Sequence, residues 1–258
     1  MTNLTEQVLT RQDVQDRQFE NLEKKLGINF EKPEILVQAF IHRSYLNENR
    51  DFPMEHNERL EFLGDAVLEL IVTDFLFKEY GNPEGELTNW RAALVNAKML
   101  ASVAHEIGFE EYLFLSHGEA KDAGTKARDY ILANTMEALI GSIYLDLGYD
   151  VTQQFLARWI IPKLPYILEH GLHMDAKSRF QEASQEHVGY TPNYKVLEES
   201  GPDHEKFFKI GVYLDKDLIA SGTGTSKQEA QTEAAEAALK VKKWKIPKVA
   251  IIKLDPEK

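Results

Sequence analysis

The residues of this sequence that could carry out chemistry are acidic side chains at helical spacing. Glu58, Glu61 and Asp65 stand at i, i+3 and i+7 within residues 56–68, so on a helix all three lie on one face. The other positions of this run are mostly apolar, which is typical of a buried helix. Carboxylates at the edge of such a helix are costly unless they are paired or bind a metal. A divalent cation is the simplest partner, and oxygen ligands favour magnesium, with manganese as a substitute.

A second apolar segment, residues 130–141, carries Asn134 and Glu137 at i, i+3. Two buried helices, each with oxygen ligands on one face, could close a metal site between them. The alternative is that all these acids are helix-surface charges in ordinary ion pairs. The length of the run at residues 56–68, together with the acidic segment at residues 130–141, favours the metal site over ordinary ion pairs.

The whole chain is ordinary for a folded protein and excludes several kinds of site. Of its 258 residues 43% are hydrophobic and 28% charged, which allows one large or two modest domains. The absence of cysteine excludes disulfides, thiolate metal sites and cysteine nucleophiles. We expect a cytoplasmic protein without a membrane partner, because no secretion signal and no long apolar stretch occur. A net charge of −12 disfavours a nucleic-acid partner, although binding depends on local patches rather than on net charge.

The pattern along the chain predicts two domains of different fold class. Apolar residues recur every three to four positions through most of the first two thirds, which predicts an all-α domain. Later segments alternate like short strands between two helices, which predicts a small α+β domain of order α-β-β-β-α. The predicted strands are residues 194–197, 206–214 and 218–221, and the predicted helices are 175–188 and 226–242. The expected division is a flexible tail at 1–15, the helical domain at 16–166, a linker at 167–174, the α+β domain at 175–243 and a C-terminal tail at 244–258.

The two acidic segments also resemble those of a known family. Residues 56–68 resemble the signature of ribonuclease III, residues 131–146 resemble its second acidic block, and residues 85–95 fit between them. This resemblance implies a hydrolase that cleaves double-stranded RNA by metal-assisted phosphodiester hydrolysis. It implies that Glu61, Asn134 and Glu137 bind the magnesium, that Asp65 and Glu137 are most needed for cleavage, and that Glu58 supports RNA or water nearby.

The α+β segment resembles a double-stranded RNA-binding domain in residues 178–182, 201–204 and 222–227. Such domains contact two minor grooves and the phosphates between them. The resemblance implies that Gln181, Glu182 and His204 contact minor grooves and that Lys227 contacts phosphate. The family usually has consecutive basic residues where Gln228 follows Lys227, and residues 175–243 hold ten basic and twelve acidic residues. We therefore expect weak RNA binding with a shallow salt dependence.

In the helical domain, Lys121, Lys126 and Arg128 precede the second acidic block. They are candidates for further phosphate contacts, and a solvated loop is an equal alternative.

The resemblance also implies an assembly and a product. Ribonuclease III enzymes form homodimers and leave 5′-phosphate and 3′-hydroxyl ends with short 3′ overhangs, and bacterial members process ribosomal and messenger RNA. Phe62 could lie at the dimer contact or in the core of its own domain, and the sequence leaves both open.

One position departs from the family and keeps an alternative open. The usual residue is Asp where this chain has Asn134. An amide oxygen can bind a hard cation but brings no charge, so we expect weaker magnesium binding or a shifted metal preference. The alternative is a non-cleaving double-stranded RNA-binding protein with a degenerate nuclease site. A phosphohydrolase of small substrates would leave the second domain unexplained.

Overall fold

The chain, seen here as a computed structural model, folds into two compact units. The structure describes residues 4–202, 206–244 and 250–254. The first unit holds the described residues up to Leu164 together with residues 252–254, and the second holds the described residues from Pro165 to Ile251. The predicted fold classes, an all-α domain followed by an α-β-β-β-α domain, are confirmed.

The described part of the first unit consists of helices, with two short 3₁₀ turns at Phe109–Tyr112 and Ile161–Lys163. The α-helices are α1 Leu4–Leu9, α2 Gln12–Gln15, α3 Phe19–Leu26, α4 Pro33–Ala39, α5 Arg43–Glu48, α6 Glu58–Glu79, α7 Glu84–Val95, α8 Ala97–Ile107, α9 His117–Ala120 and α10 Lys126–Trp159.

Helices α6 and α10 form the centre of this unit and make its most extensive interhelical contact. Helix α6 buries Leu68, Ile71 and Val72 completely. Burial of such side chains stabilises the fold by about 1.5–3 kcal/mol each. Helix α10 begins at the cap Thr125, whose hydroxyl accepts the Arg128 amide. The predicted break at Gly148 is a kink inside α10, where φ is 81°.

Residues 4–15 differ from the flexible tail that their polar composition predicts. They form α1 and α2 and bury Val8 and Val14 against the domain. Nearby, Asp13 accepts a hydrogen bond from the Tyr45 hydroxyl. Arg11 also pairs with Asp51 at 3.3 Å and lies over the Phe52 ring. These few contacts with distant residues order the segment, and they leave no periodic signal in the sequence.

The chain returns to the first unit after the second. Residues 252–254, within the predicted C-terminal tail, pair with residues 79–82 at the end of α6, including an antiparallel bridge between Tyr80 and Lys253. Residues 245–249 lie outside the described ranges.

Helix α11 Leu164–Glu169 begins at the last residue of the first unit, continues into the second and covers the start of the predicted linker. Helix α12 spans Ala176–Val188, and its cap Asp175 accepts the amides of Lys177 and Ser178. The antiparallel sheet has the order β1-β2-β3, with β1 Asn193–Ser200, β2 Phe207–Leu214 and β3 Asp217–Gly224, and helix α13 spans Lys227–Lys242.

Small residues let α13 lie close to this sheet. Ala234, Ala235 and Ala238 are fully buried against Phe180 and Val212. The alanine-rich run therefore serves mainly for packing.

No helix in the described ranges is both long enough and apolar enough to span a membrane.

Candidate functional site

Two glycines set the distance between the two acid-bearing helices. A Cβ on Gly64 of α6 would lie 1.7 Å from the Glu137 carbonyl oxygen, and one on Gly141 of α10 would lie 2.2 Å from the Leu60 carbonyl oxygen. The helix backbones therefore touch at a crossing that only glycine permits at both positions. The sequence does not predict this contact, although both glycines stand near the acidic positions.

The crossing gathers three carboxylates from the two helices. Glu61 and Asp65 flank Gly64 on α6, and Glu137 lies one turn before Gly141 on α10. The pKa of Glu137 is raised to about 7, mainly because the group is buried and also because of the charges of Asp65 and Glu61. The pKa of Glu61 is also raised, mainly by burial and further by the charges of Glu58 and Asp65. The three acids therefore lie near enough to repel one another.

Glu58 differs from the other three because basic groups lie beside it. Its carboxylate is 3.6 Å from the Arg43 guanidinium and 3.8 Å from Nδ1 of His56. Arg43 and Glu58 are both exposed, so this pair contributes little stability. The arrangement places Glu58 at the rim of the acidic cluster.

Asn134 lies one turn before Glu137 on α10 and is exposed. Its position places a neutral oxygen donor on the same face as the carboxylate. Among the described residues, no three His, Asp or Glu side chains form a ready-made metal cluster. The donor set still fits a hard cation, because crowded, partly buried carboxylates with raised pKa values are the groups that a divalent ion stabilises.

Phe62 does not lie in the core of its own domain. Its side chain is 82% exposed, although it stands between the acidic positions of a helix that is buried on the other side. Leu70 and Phe77 of the same helix are exposed as well, at 57% and 74%. These three residues form an apolar stripe along α6.

The second unit presents the predicted RNA-binding residues on two helices. Gln181 and Glu182 are exposed on α12, and Lys227 is the first residue of α13. The cap of α13 is Ser226, whose hydroxyl accepts the Glu229 amide. His204 lies outside the described residues.

Acidic side chains of the same chain lie close to Lys227 and accept hydrogen bonds from the residues around it. Glu199 lies 3.9 Å from the Lys227 ammonium. Glu229 accepts both the amide and the hydroxyl of Thr225 at 2.8 Å, and Glu233 accepts both donors of Thr223. The sequence shows that these residues are acidic, but not that they lie against the loop before α13.

Arg128 does not serve as a surface phosphate contact. It is 97% buried, pairs with Glu110 at 2.5 Å and donates to the Glu119 carbonyl oxygen. Lys121, which follows α9, and Lys126, the first residue of α10, are exposed.

Comparison with known proteins agrees with this pairing of an acidic helical site and an α+β module. Residues 32–164 match the family model of ribonuclease-III-like domains, and residues 176–242 match that of the double-stranded RNA binding motif. The chain belongs to the ribonuclease III family. Ribonuclease III is an endoribonuclease that cleaves double-stranded RNA with the help of a metal, and this chain has both of its domains.

Similar ribonuclease III chains cover most of the sequence. Ribonuclease 3 of Bacillus velezensis is 44% identical over 224 residues, which are 86% of this chain and 89% of that protein. Ribonuclease 3 of Carboxydothermus hydrogenoformans is 45% identical over 225 residues, 86% of this chain and 95% of that protein.

A solved structure supports the fold of the first unit. The nuclease domain of Campylobacter jejuni ribonuclease III is 36% identical and superposes with a TM-score of 0.52, covering 57% of this chain and 99% of that domain.

Proposed function

We propose that the protein is a magnesium-dependent ribonuclease III that uses the carboxylates at the α6–α10 crossing to hydrolyse double-stranded RNA. The observation that carries the assignment of the site is the close crossing of α6 and α10, which brings the half-buried Glu137 near Glu61 and Asp65. Burial and these two acidic neighbours raise the pKa of Glu137 to about 7. Such perturbed groups cluster where a site must bind charge or move protons. Manganese would serve as a substitute, because both cations prefer oxygen ligands.

The residues divide the work by position. Glu61 and Glu137 would hold the cation with their carboxylates, and Asn134 with its amide oxygen. The bound cation would neutralise charge on the phosphate and lower the pKa of the attacking water. Asp65 is exposed beside Glu61, which suits contact with the incoming phosphate group or its water. Glu58, held by Arg43 at the rim, would orient RNA or water.

The second unit would hold the duplex through its shape. Gln181 and Glu182 of α12 would contact a minor groove, and Lys227 would meet a phosphate at the N-terminus of α13, where the helix dipole also favours an anion. For His204, a minor-groove contact is proposed only from the resemblance to double-stranded RNA-binding domains. The ends produced would be 5′-phosphate and 3′-hydroxyl with a short 3′ overhang.

We propose a homodimer, because the exposed stripe of Phe62, Leu70 and Phe77 is apolar and large exposed apolar patches mark interaction sites. The related Campylobacter jejuni nuclease domain is described as having a region involved in dimer formation. A hydrodynamic mass of two chains at micromolar concentration is the expected result, and a mass of one chain would contradict the dimer. Processing of ribosomal and messenger RNA in the cytoplasm is the corresponding cellular role.

The test is cleavage of a long RNA duplex in magnesium by the parent chain and by Glu137→Gln. We expect short duplex products from the parent and a loss of at least about a hundredfold in rate for the variant. Glu111→Gln, the same change at an exposed position of the first unit, serves as the matched control and should cleave like the parent.

An alternative function is favoured by one observation, the neutral Asn134 in the site. If the parent binds the duplex as tightly as Glu137→Gln but leaves it intact in magnesium and in manganese, the protein is a non-cleaving double-stranded RNA-binding protein.

A further inference from the structure

A groove at the end of α6 lies away from the acidic cluster and is lined by residues of α6, α7 and the turn between them, and by Leu254 of the C-terminal segment. Its cavity of about 590 Å³ is bordered by Thr73, Phe77, Tyr80, Leu87 and Leu254. Glu79 follows Asp65 by fourteen residues on the same helix, a distance of about 21 Å at 1.5 Å per residue. The nuclease site therefore does not account for this groove.

Residues 252–254, which we call the tail strap, pair with the groove edge through the main chain. The Gly81 amide donates to the Ile252 carbonyl oxygen at 2.7 Å, and the Leu254 amide donates to the Glu79 carbonyl oxygen at 3.0 Å. The Ile252 amide donates to Oδ1 of the buried Asn82 at 2.9 Å. This is the pattern by which an extended peptide adds to an exposed backbone edge.

The side chains of the tail strap alternate as an extended segment requires. Ile252 and Leu254 face Gly81, where a Cβ would lie 3.2 Å and 3.1 Å from them. Lys253 points the other way, with Nζ 3.2 Å from the Glu79 carboxylate and 4.4 Å from the centre of the Tyr80 ring. The groove edge thus contacts an aliphatic, a basic and an aliphatic residue at three successive positions, with Ile252 and Leu254 about half exposed.

We propose that this groove is a binding site for a short extended segment of the pattern aliphatic–Lys–aliphatic, and that the tail strap is its resident ligand. Attachment through the same chain raises the local concentration of the strap, so a few weak contacts suffice to seat it. The chain leaves the first unit at Pro165 and returns at Ile252. While the strap is seated, the RNA-binding module is attached at both of its ends, which reduces the conformations open to it.

The decisive measurement is amide hydrogen exchange of Gly81 in the full chain, in its Leu254→Asp variant and in Ile251→Asp. Leu254→Asp places a charge against the cavity and should release the strap. We expect Gly81 to exchange at least about tenfold faster in this variant. Ile251→Asp adds the same charge next to the strap and should leave Gly81 protected. The amide of the buried Ile71 of α6 should remain protected in all three chains, which shows that the domain is folded.

A second measurement tests recognition. A fluorescent peptide with the sequence of residues 250–258 should bind the full-length Leu254→Asp chain, whose groove is vacated, at least about tenfold more tightly than the parent. Equal Gly81 exchange in the parent and in Leu254→Asp, or equal peptide binding by both, would overturn the proposal. Gly81 protection that rises with protein concentration would place the strap on a second copy and overturn the intrachain form. Neither measurement depends on RNA cleavage, so the outcome is separate from that of the nuclease assignment.

Discussion

Glu137 lies half-buried on α10 with Asp65 and Glu61 acting on it, and its titration has a consequence for stability. Its pKa is raised from 4.5 to about 7 in the folded chain, so between these values the folded state binds more protons than the unfolded state. Stability therefore falls as pH rises through this window, and the full penalty is present above pH 7.

We expect Glu137→Gln to be more stable than the parent at pH 8 without metal, because the amide carries no charge. The difference should be on the order of 1–2 kcal/mol once solvent screening is allowed for. Thermal unfolding in a chelating buffer at pH 5 and pH 8 measures it. A midpoint increase of several degrees at pH 8 that vanishes near pH 5 is the expected result. An equal effect at both pH values would show that charge repulsion is not its cause.

In the proposed metal site, Asn134 is the one ligand without a charge. We expect Asn134→Asp to lower the magnesium concentration for half-maximal cleavage several-fold, because a carboxylate adds a full charge where the amide adds only a dipole. A magnesium titration of both chains measures this. Identical half-maximal concentrations would mean that residue 134 is not a ligand.

At the scale of single residues, the sequence predicts which acidic side chains share a helix face better than it predicts their surroundings. The spacing of Glu58, Glu61 and Asp65 predicts their shared helix face, and that prediction is confirmed by α6. The pairing of Glu58 with Arg43 and the burial of Arg128 depend on contacts between distant segments. Such contacts have no periodic signal in the sequence.

At the scale of elements, the α6–α10 crossing determines where the acids lie. We expect Gly64→Ala to destabilise the first unit by about 1–3 kcal/mol or more, since overpacking displaces backbone as well as side chains. It should also reduce cleavage strongly, because Glu61 and Asp65 would move away from Glu137.

The matched control for this prediction is Gly85→Ala in helix α7. A Cβ there meets nothing within 4 Å, so alanine should be neutral or stabilise the helix by about 0.5–1 kcal/mol. Chemical denaturation of the three chains separates the two cases. Equal stability of Gly64→Ala and the parent would contradict the close crossing.

Elements with strong periodicity are the ones that the sequence predicts well. The predicted helix at 175–188 agrees with α12, and the predicted strands lie within or beside β1, β2 and β3. Residues 4–15 and 252–254 behave differently from the predicted tails, because a few contacts with distant residues order them. Short segments of this kind gain their structure from packing rather than from propensity.

At the scale of the whole molecule, the negative net charge opposes the binding of RNA. A chain of net charge −12 repels an RNA duplex at long range, so binding depends on the few basic groups that can reach phosphate. In the second unit Glu199 lies near two basic side chains, at 3.3 Å from Lys206 and at 3.9 Å from Lys227, the proposed phosphate contact. The net charge and the pairing of Glu199 with Lys227 both predict weak RNA binding. Their contributions can be measured separately.

The separation uses two variants that remove the same charge from the same strand. We expect Glu199→Gln to raise the affinity for a double-stranded RNA by about two- to fivefold at low salt, and to steepen the salt dependence by about one unit of slope, because Lys227 becomes available to phosphate. Glu198→Gln changes the net charge equally at the neighbouring position of β1 and should leave the slope unchanged. Fluorescence anisotropy of a labelled duplex against salt concentration measures both. Equal gains in the two variants would mean that the overall charge, rather than the Glu199–Lys227 pair, limits RNA binding.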